Sequence, residues 1–349
     1  MARLMKGNEA VVVGALYAGC DAFFGYPITP ASEIAHAAAE WFPALGRVFI
    51  QAECETASIS MVYGAGGAGK LAMTATSGPG MSLMQEGLSY MGGTNIPGVI
   101  VNIQRAGPAL GNVYPEQADY NQAVKGGGHG SYHAMVLAPA SVQEMCDFTM
   151  RAFQFAFRYR TPVIVLSDAV QGQMTETLRL PEAELPRPTG LEAWAVQGTP
   201  ATRGNLHTSI FLDTMVLEKL NNDLQQKYAS MEVDAAAENY RTDDAELVFL
   251  AYGTSSRIAR TAVDQLRADG VRAGLFRPLT LFPFPREALC RLADRKLVVV
   301  EMSCGQFRDD VLYQFAAGAN RVPKVCLVNR MGGAVVPLET VVQAARNLV

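Results

Sequence analysis

Long hydrophobic runs are missing from this 349-residue chain, although 49% of its residues are apolar. No stretch reaches the ~18 consecutive apolar residues of a membrane-spanning helix, so no membrane association is expected. The N-terminal MARLMKGNEA is followed by only a short apolar run, unlike a secretory signal, and a cytoplasmic location is expected. Charge of one sign is also lacking: 29 Lys and Arg stand against 33 Asp and Glu, for a net charge of −4. Such a balance offers no basic field to nucleic acid or to an anionic membrane surface. Paired cysteines are absent as well. Cys20, Cys54, Cys146, Cys290, Cys304 and Cys326 include no CxxC and none of the short spacings of iron–sulfur ligation. They read as reduced thiols in or near cores, and any redox centre belongs on another chain.

What is present is an alternation of strand and helix. The pattern predicts a helix over 7–20, a strand over 22–26, and a helix to about residue 41 opened by Thr29 as N-cap with Pro30 at its first position. Strands follow at 47–51, 71–76, 99–103 and 162–168. Between them come helices over 53–62, over 81–92 with Leu83, Met84, Leu88 and Met91 buried, and over 142–157. The pattern weakens between 171 and 240, where prolines precede a polar helix over 217–231, and then resumes to the end of the chain. The fold class expected is α/β: two blocks, each a parallel sheet covered by helices. Their bounds are 1–180 and 244–349, with 181–243 as a linker lying over the blocks or over a partner.

The stretch 51–80, QAECETASISMVYGAGGAGKLAMTATSGPG, holds the densest chemistry. On a helix, Glu55 shares a face with Ile59 and Val62, whereas Glu53 shares one with Thr56, Ala57 and Ser60. Glu55 therefore points toward the core side, and a carboxyl in an apolar setting can pass a proton to a ring nitrogen near neutral pH. Both acids can equally complement the positive end of their helix. Gly64, Gly66 and Gly69 satisfy GxGxxG, but helix precedes strand here, the reverse of a nucleotide loop. They read as a helix C-cap and tight packing. Arg105 stands two residues past a strand end, where parallel sheets bind ligands, and a guanidinium there can grip a carboxylate. The Gly-rich 107–133 segment is long enough to be functional. Its His129 and His133 lie in a loop rather than on a helix, so His129 reads as a contact to substrate or partner, not as a metal ligand.

Tyr26-Pro27-Ile28-Thr29-Pro30, Glu53-Cys54-Glu55, Thr76-Ser77-Gly78-Pro79-Gly80 and Arg105 together resemble the α subunit of 2-oxoacid:ferredoxin oxidoreductases, which are thiamine-diphosphate enzymes. The resemblance runs along nearly the whole chain. Tyr252-Gly253-Thr254 and Arg277-Pro278-Leu279 are similar to a transketolase C-terminal domain, and the first block to a pyrimidine-binding domain. The Met5–Ala10 start and the Lys125–Gly130 loop look most like the 2-oxoisovalerate (3-methyl-2-oxobutanoate) branch.

The resemblance implies that Glu55 hydrogen-bonds the cofactor's aminopyrimidine N1′, with Pro27, Ser77, Gly78 and Pro79 around the cofactor. It implies that Thr29 and Arg105 hold the substrate carboxylate and keto oxygen, with His129 beside them. No Gly-Asp-Gly is present, so the diphosphate and its Mg2+ are expected on a β subunit, and iron–sulfur clusters on partners including a ferredoxin-like γ subunit. Ferredoxin would take the electrons and coenzyme A the acyl group. A 2-oxoglutarate enzyme and a non-catalytic scaffold subunit are the alternatives.

Overall fold

Two stretches that open on apolar runs, 98–104 and 162–168, become the central strands of the first sheet, buried along their whole length, as strands covered on both faces require. The computed structural model describes residues 2–319 and 321–348. The first part of the chain runs β1 (Ala2–Lys6), α1 (Gly7–Tyr17), β2 (Ala22–Gly25), α2 (Ser32–Ala44), β3 (Val48–Gln51), α3 (Glu55–Gly67), β4 (Ala72–Thr76) and α4 (Gly78–Thr94). It continues through β5 (Gly98–Gln104), α5 (Tyr120–Val124), β6 (Met135–Leu137), α6 (Val142–Tyr159), β7 (Pro162–Asp168), α7 (Ala169–Gln173) and β8 (Thr175–Arg179). After α8 (Thr214–Ser230) and β9 (Ala237–Tyr240) come β10 (Leu247–Leu250), α9 (Gly253–Ala268), β11 (Ala273–Pro278), β12 (Thr280–Phe282) and α10 (Arg286–Cys290). The chain closes with β13 (Lys296–Glu301), α11 (Gln306–Ala319), β14 (Val325–Asn329) and α12 (Leu338–Arg346).

Among the described residues the strands form a seven-stranded sheet in the order β12-β6-β7-β5-β4-β2-β3, a five-stranded sheet β14-β13-β10-β11-β9, and the pair β1-β8. Both large sheets are parallel in their interior, as expected, but each ends in an antiparallel strand, β12 on β6 and β9 on β11. Thr280–Phe282 pairs with Val136 and Leu137, so the second block lends an edge strand to the first sheet. A three-residue strand between prolines carries no period, and only its distant partner makes it a strand. The antiparallel β1–β8 pair was missed for the same reason.

The seam between the blocks is further held by Arg277, whose two terminal nitrogens donate to both oxygens of Glu144 at 2.8 and 2.6 Å. Its Nε lies 2.8 Å from Glu238. Helix α8 packs Leu224 and Tyr228, with Met231 just past its end, against Tyr159 and Phe282, while Leu206, Ile210 and Leu212 of the preceding stretch and Met215 in the helix's first turn stand exposed. Helix α1 is buried almost all round. Its Gly14 meets the backbone of α6, where a Cβ would sit 2.3 Å from the Cys146 carbonyl oxygen.

Two local readings change. The turn Ile28–Ala31, closed by Ala31 N–H to Ile28 C=O, delays α2 to Ser32, so Ala31 and not Thr29 precedes it. Leu83 is 53% exposed, because the buried stripe of α4 runs through Met81, Met84, Leu88 and Met91 at helical spacing.

Candidate functional site

Strands β2, β4 and β5 are neighbours, and their C-terminal ends release Tyr26-Pro27, Ser77-Gly78-Pro79 and Arg105 onto one edge of the sheet. Helix α3 starts beside them after β3. Its first residue is Glu55, 5% exposed, on the inward side that the projection gave it; Glu53 is exposed but precedes the extended N-cap Cys54, so the helix begins at 55 and not at 53. Gly80 of α4 abuts this acid: a Cβ there would lie 2.5 Å from Glu55 Oε1 and 2.2 Å from Thr76 Oγ1. Only a glycine lets α4 come this near the carboxylate.

Among the described residues the Glu55 carboxylate makes no hydrogen bond. The hydroxyls of Thr76 and Ser77 are buried and unpartnered. Ser77 precedes α4 yet does not cap it with its side chain. A buried acid and two spare hydroxyls clustered at a strand end are unusual in a closed core. They fit a polar ring lying against the backbone, as the pyrimidine of thiamine diphosphate would.

Arg105 is half-buried. Its stem packs on Gly78, whose Cβ position is 3.5 Å from Arg105 Cγ. One terminal nitrogen donates to the Thr29 carbonyl at 2.9 Å and the other to the Leu110 carbonyl at 3.0 Å, while Nε is buried without a partner. Two carbonyls thus orient the guanidinium and leave donors over for a carboxylate. Thr29 meets Arg105 through its backbone, and its side chain is exposed at the same edge. Pro27 is likewise exposed there.

A cavity of about 890 Å³ opens in front of Arg105, lined by Gly78, Pro79, Ser82, Pro108, Ala109 and, from the second block, Cys304, Gln306 and Met331. Several groups here escaped the sequence reading. Glu116 accepts from Gly107 N–H at 2.9 Å and from Gly332 N–H at 2.8 Å, clasping the two blocks together. Asp119 accepts from Asn102 at 2.9 Å. Burial pushes its pKa up to about 6, against the pull of the Asn102 hydrogen bond, Arg105 and the Gly78 N–H and with a further push from Glu116. The only sequence signal for these acids was their place in a long Gly-rich segment.

His129 does not join this edge. Its loop is pinned over the middle of α4 by Ser89 Oγ, which donates to the His129 carbonyl, and by Gln85, which accepts from Gly127 N–H at 2.9 Å. Eleven residues separate Ser89 from Gly78, about 16 Å along a helix. The His133 ring stacks on Phe282 at 4.3 Å. A second cavity of about 640 Å³ lies between α5, α8 and α11 and holds none of the expected site residues.

Ligand-facing strand ends that leave a glutamate and a guanidinium partly unpaired mark this as a thiamine-diphosphate-binding α/β chain. Residues 13–241 match the family model described as pyruvate flavodoxin/ferredoxin oxidoreductase, thiamine diphosphate-binding. Residues 245–341 match pyruvate:ferredoxin oxidoreductase core domain II. The chain belongs to the 2-oxoacid:ferredoxin oxidoreductase family.

It is 56% identical to ketoisovalerate oxidoreductase subunit VorB of Methanothermobacter marburgensis, over 99% of this chain and 97% of that one. It is 46% identical to 2-oxoglutarate synthase subunit KorA of Archaeoglobus fulgidus, over 88% and 90%. Among solved structures, 2-oxoglutarate:ferredoxin oxidoreductase from Magnetococcus marinus, with 2-oxoglutarate, coenzyme A and succinyl-CoA bound, matches with a TM-score of 0.87 at 28% identity. That match covers 99% of this chain, which spans 65% of the solved one. A split-gene transketolase, an inactive β4 tetramer, shares the fold at a TM-score of 0.60 and 15% identity.

Proposed function

We propose that this chain is the α subunit of a 2-oxoacid:ferredoxin oxidoreductase that converts 2-oxoisovalerate and coenzyme A to the branched acyl-CoA and carbon dioxide while ferredoxin is reduced. Similarity to the VorB subunit over nearly the full length of both chains supports the substrate class. The observation that carries the mechanism is the unpartnered Glu55 carboxylate against Gly80. Arg105 is the sole cation among the described residues lining the cavity. On this chain's side that suits a substrate with one carboxylate better than 2-oxoglutarate with two.

In this reading Glu55 holds a proton at the pyrimidine nitrogen of thiamine diphosphate, and Pro27, Ser77, Gly78 and Pro79 keep the ring against backbone. When bound, the cofactor supplies the nucleophilic carbon and electron sink for decarboxylation. Arg105 takes the substrate carboxylate through its spare donors, and the exposed Thr29 hydroxyl reaches the same ligand. His129 belongs to a contact with the partner rather than with substrate. The diphosphate and Mg2+ fall to a β subunit, and the iron–sulfur clusters to partners including a ferredoxin-like γ subunit. Six free cysteines fit a reducing, cytoplasmic setting. The blocks 1–180 and 244–349, joined by the 181–243 linker, serve as pyrimidine-binding and transketolase C-terminal-like domains.

The test is made on the assembled complex. Turnover should be faster with 2-oxoisovalerate than with 2-oxoglutarate, and Glu55→Gln should abolish exchange of the thiazolium C2 proton while the complex still assembles. A preference for 2-oxoglutarate removes the substrate assignment, and exchange at the unmutated rate removes Glu55.

A further inference from the structure

Asp119 and Arg105 line the same cavity, yet the reading above gives Asp119 no task. Its surroundings are defined from every side. From β5, Asn102 donates to Asp119 Oδ2 at 2.9 Å and the Gln104 amide oxygen accepts from Asp119 N–H at 3.1 Å. From the start of α4, the Gly78 N–H faces its carboxylate. On its own loop, Glu116 adds a second negative charge nearby. Beyond the end of β10, the Tyr252 phenol lies within its field, and Cys304 completes the wall from the second block. Arg105 is the cation that acts on it and lines the same cavity.

We propose that Asp119 couples oxoacid binding to proton uptake, ionised beside Arg105 when the cavity is empty and protonated when the substrate carboxylate occupies Arg105. The inference rests on Arg105 as the carboxylate anchor. A ligand carboxylate at Arg105 consumes the positive charge that favoured ionised Asp119 and adds a negative one. An adjacent cation lowers a carboxyl pKa by up to about 1–3 units and a nearby like charge raises it, so both changes act in the same direction on Asp119. Burial already holds Asp119 near the physiological range, so a shift of that size spans neutral pH. One proton enters with the substrate, and none is consumed overall: when the carboxylate carbon leaves as neutral carbon dioxide, the bonding electron pair would pass to the cofactor as electron sink, so the negative charge leaves Arg105 and Asp119 ionises again with release of the proton. Asp119 acts through Arg105 and is a positioning residue for the charge state of the cavity.

The experiment uses the assembled complex without electron acceptor or coenzyme A. The probe is 2-hydroxyisovalerate, which keeps the carboxylate and branched chain but has no keto carbon to attack. Titration calorimetry in two buffers of different ionisation enthalpy should find uptake of roughly half a proton or more per site at pH 7, with affinity falling up to about tenfold per pH unit above it. Asp119→Asn should bind the probe with pH-independent affinity and no uptake. Asn102→Ala, which removes a bond to the ionised form, should move the uptake window to higher pH. Absence of uptake in the unmutated complex overturns the inference even if Asp119→Asn fails to assemble. So does uptake that survives Asp119→Asn, or that vanishes instead in Glu116→Gln. Arg105→Ala separates the two levels: unchanged probe affinity there defeats the anchor role itself, whereas weakened affinity with uptake persisting in Asp119→Asn defeats only the coupling.

Discussion

A single methyl group added at Gly80 tests the geometry around Glu55 without replacing any ionisable side chain. In the native arrangement that methyl carbon would lie 2.5 Å from Glu55 Oε1, 2.8 Å from Glu55 Cγ and 2.2 Å from Thr76 Oγ1. Carbon contacts relax only beyond about 3.5 Å, so the carboxylate must move by about 1 Å or α4 must shift. The helix gains up to ~1 kcal/mol of propensity from alanine, and overpacking costs about 1–3 kcal/mol. Gly80→Ala should therefore fold, between unchanged and about 2 kcal/mol less stable. A misplacement of ~1 Å in a catalytic group costs about a hundredfold in rate. The assay compares thermal unfolding with oxoacid turnover of the complex. Gly64→Ala, on the preceding helix with nothing within 4 Å of the new carbon, serves as the control and should gain slight stability at full activity. Gly80→Ala with turnover within a few-fold of the unmutated complex would refute the claim that this close approach sets the position of Glu55.

Removing the Arg277 side chain as Arg277→Met leaves Glu144 and Glu238 facing each other across the seam. Unfolding in denaturant should detect a loss of about 1–3 kcal/mol, the usual worth of charged hydrogen bonds, because both carboxylates keep some solvent and Glu238 keeps Arg260. Glu116→Gln keeps one acceptor but loses a charged hydrogen bond to Gly107 or Gly332. It should cost about 1.5–3 kcal/mol and raise the KM for the oxoacid more than it lowers kcat, because the clasp shapes one wall of the cavity.

Much of the edge proposed to take the pyrimidine was readable in the linear chain. The helical period turns Glu55 toward the core, where it lies buried, although Glu53, read onto the same helix, precedes its N-cap. Ser77-Gly78-Pro79 and Arg105 were assignable to strand ends because short, mostly apolar strands precede them, and the sheet order β5-β4-β2 makes those ends neighbours. Thr29 was given the wrong local job. Its Ser-or-Thr-before-Pro pattern resembles an N-cap, but the turn Ile28–Ala31 intervenes and directs its carbonyl to Arg105.

Local periodicity and composition determined the α/β class, the strand–helix alternation and the side of α3 that faces inward, since each depends only on residues within a turn or two. Pairing between segments more than a hundred residues apart leaves no periodic trace, so only the tertiary structure decided that Thr280–Phe282 would complete the first sheet. The same holds for Glu116 bridging Gly107 and Gly332. Folding likewise carried His129 to the middle of α4 and Asp119 to the wall that Arg105 shares, because a charge acquires its neighbours only when distant loops are packed together and water is excluded from between them.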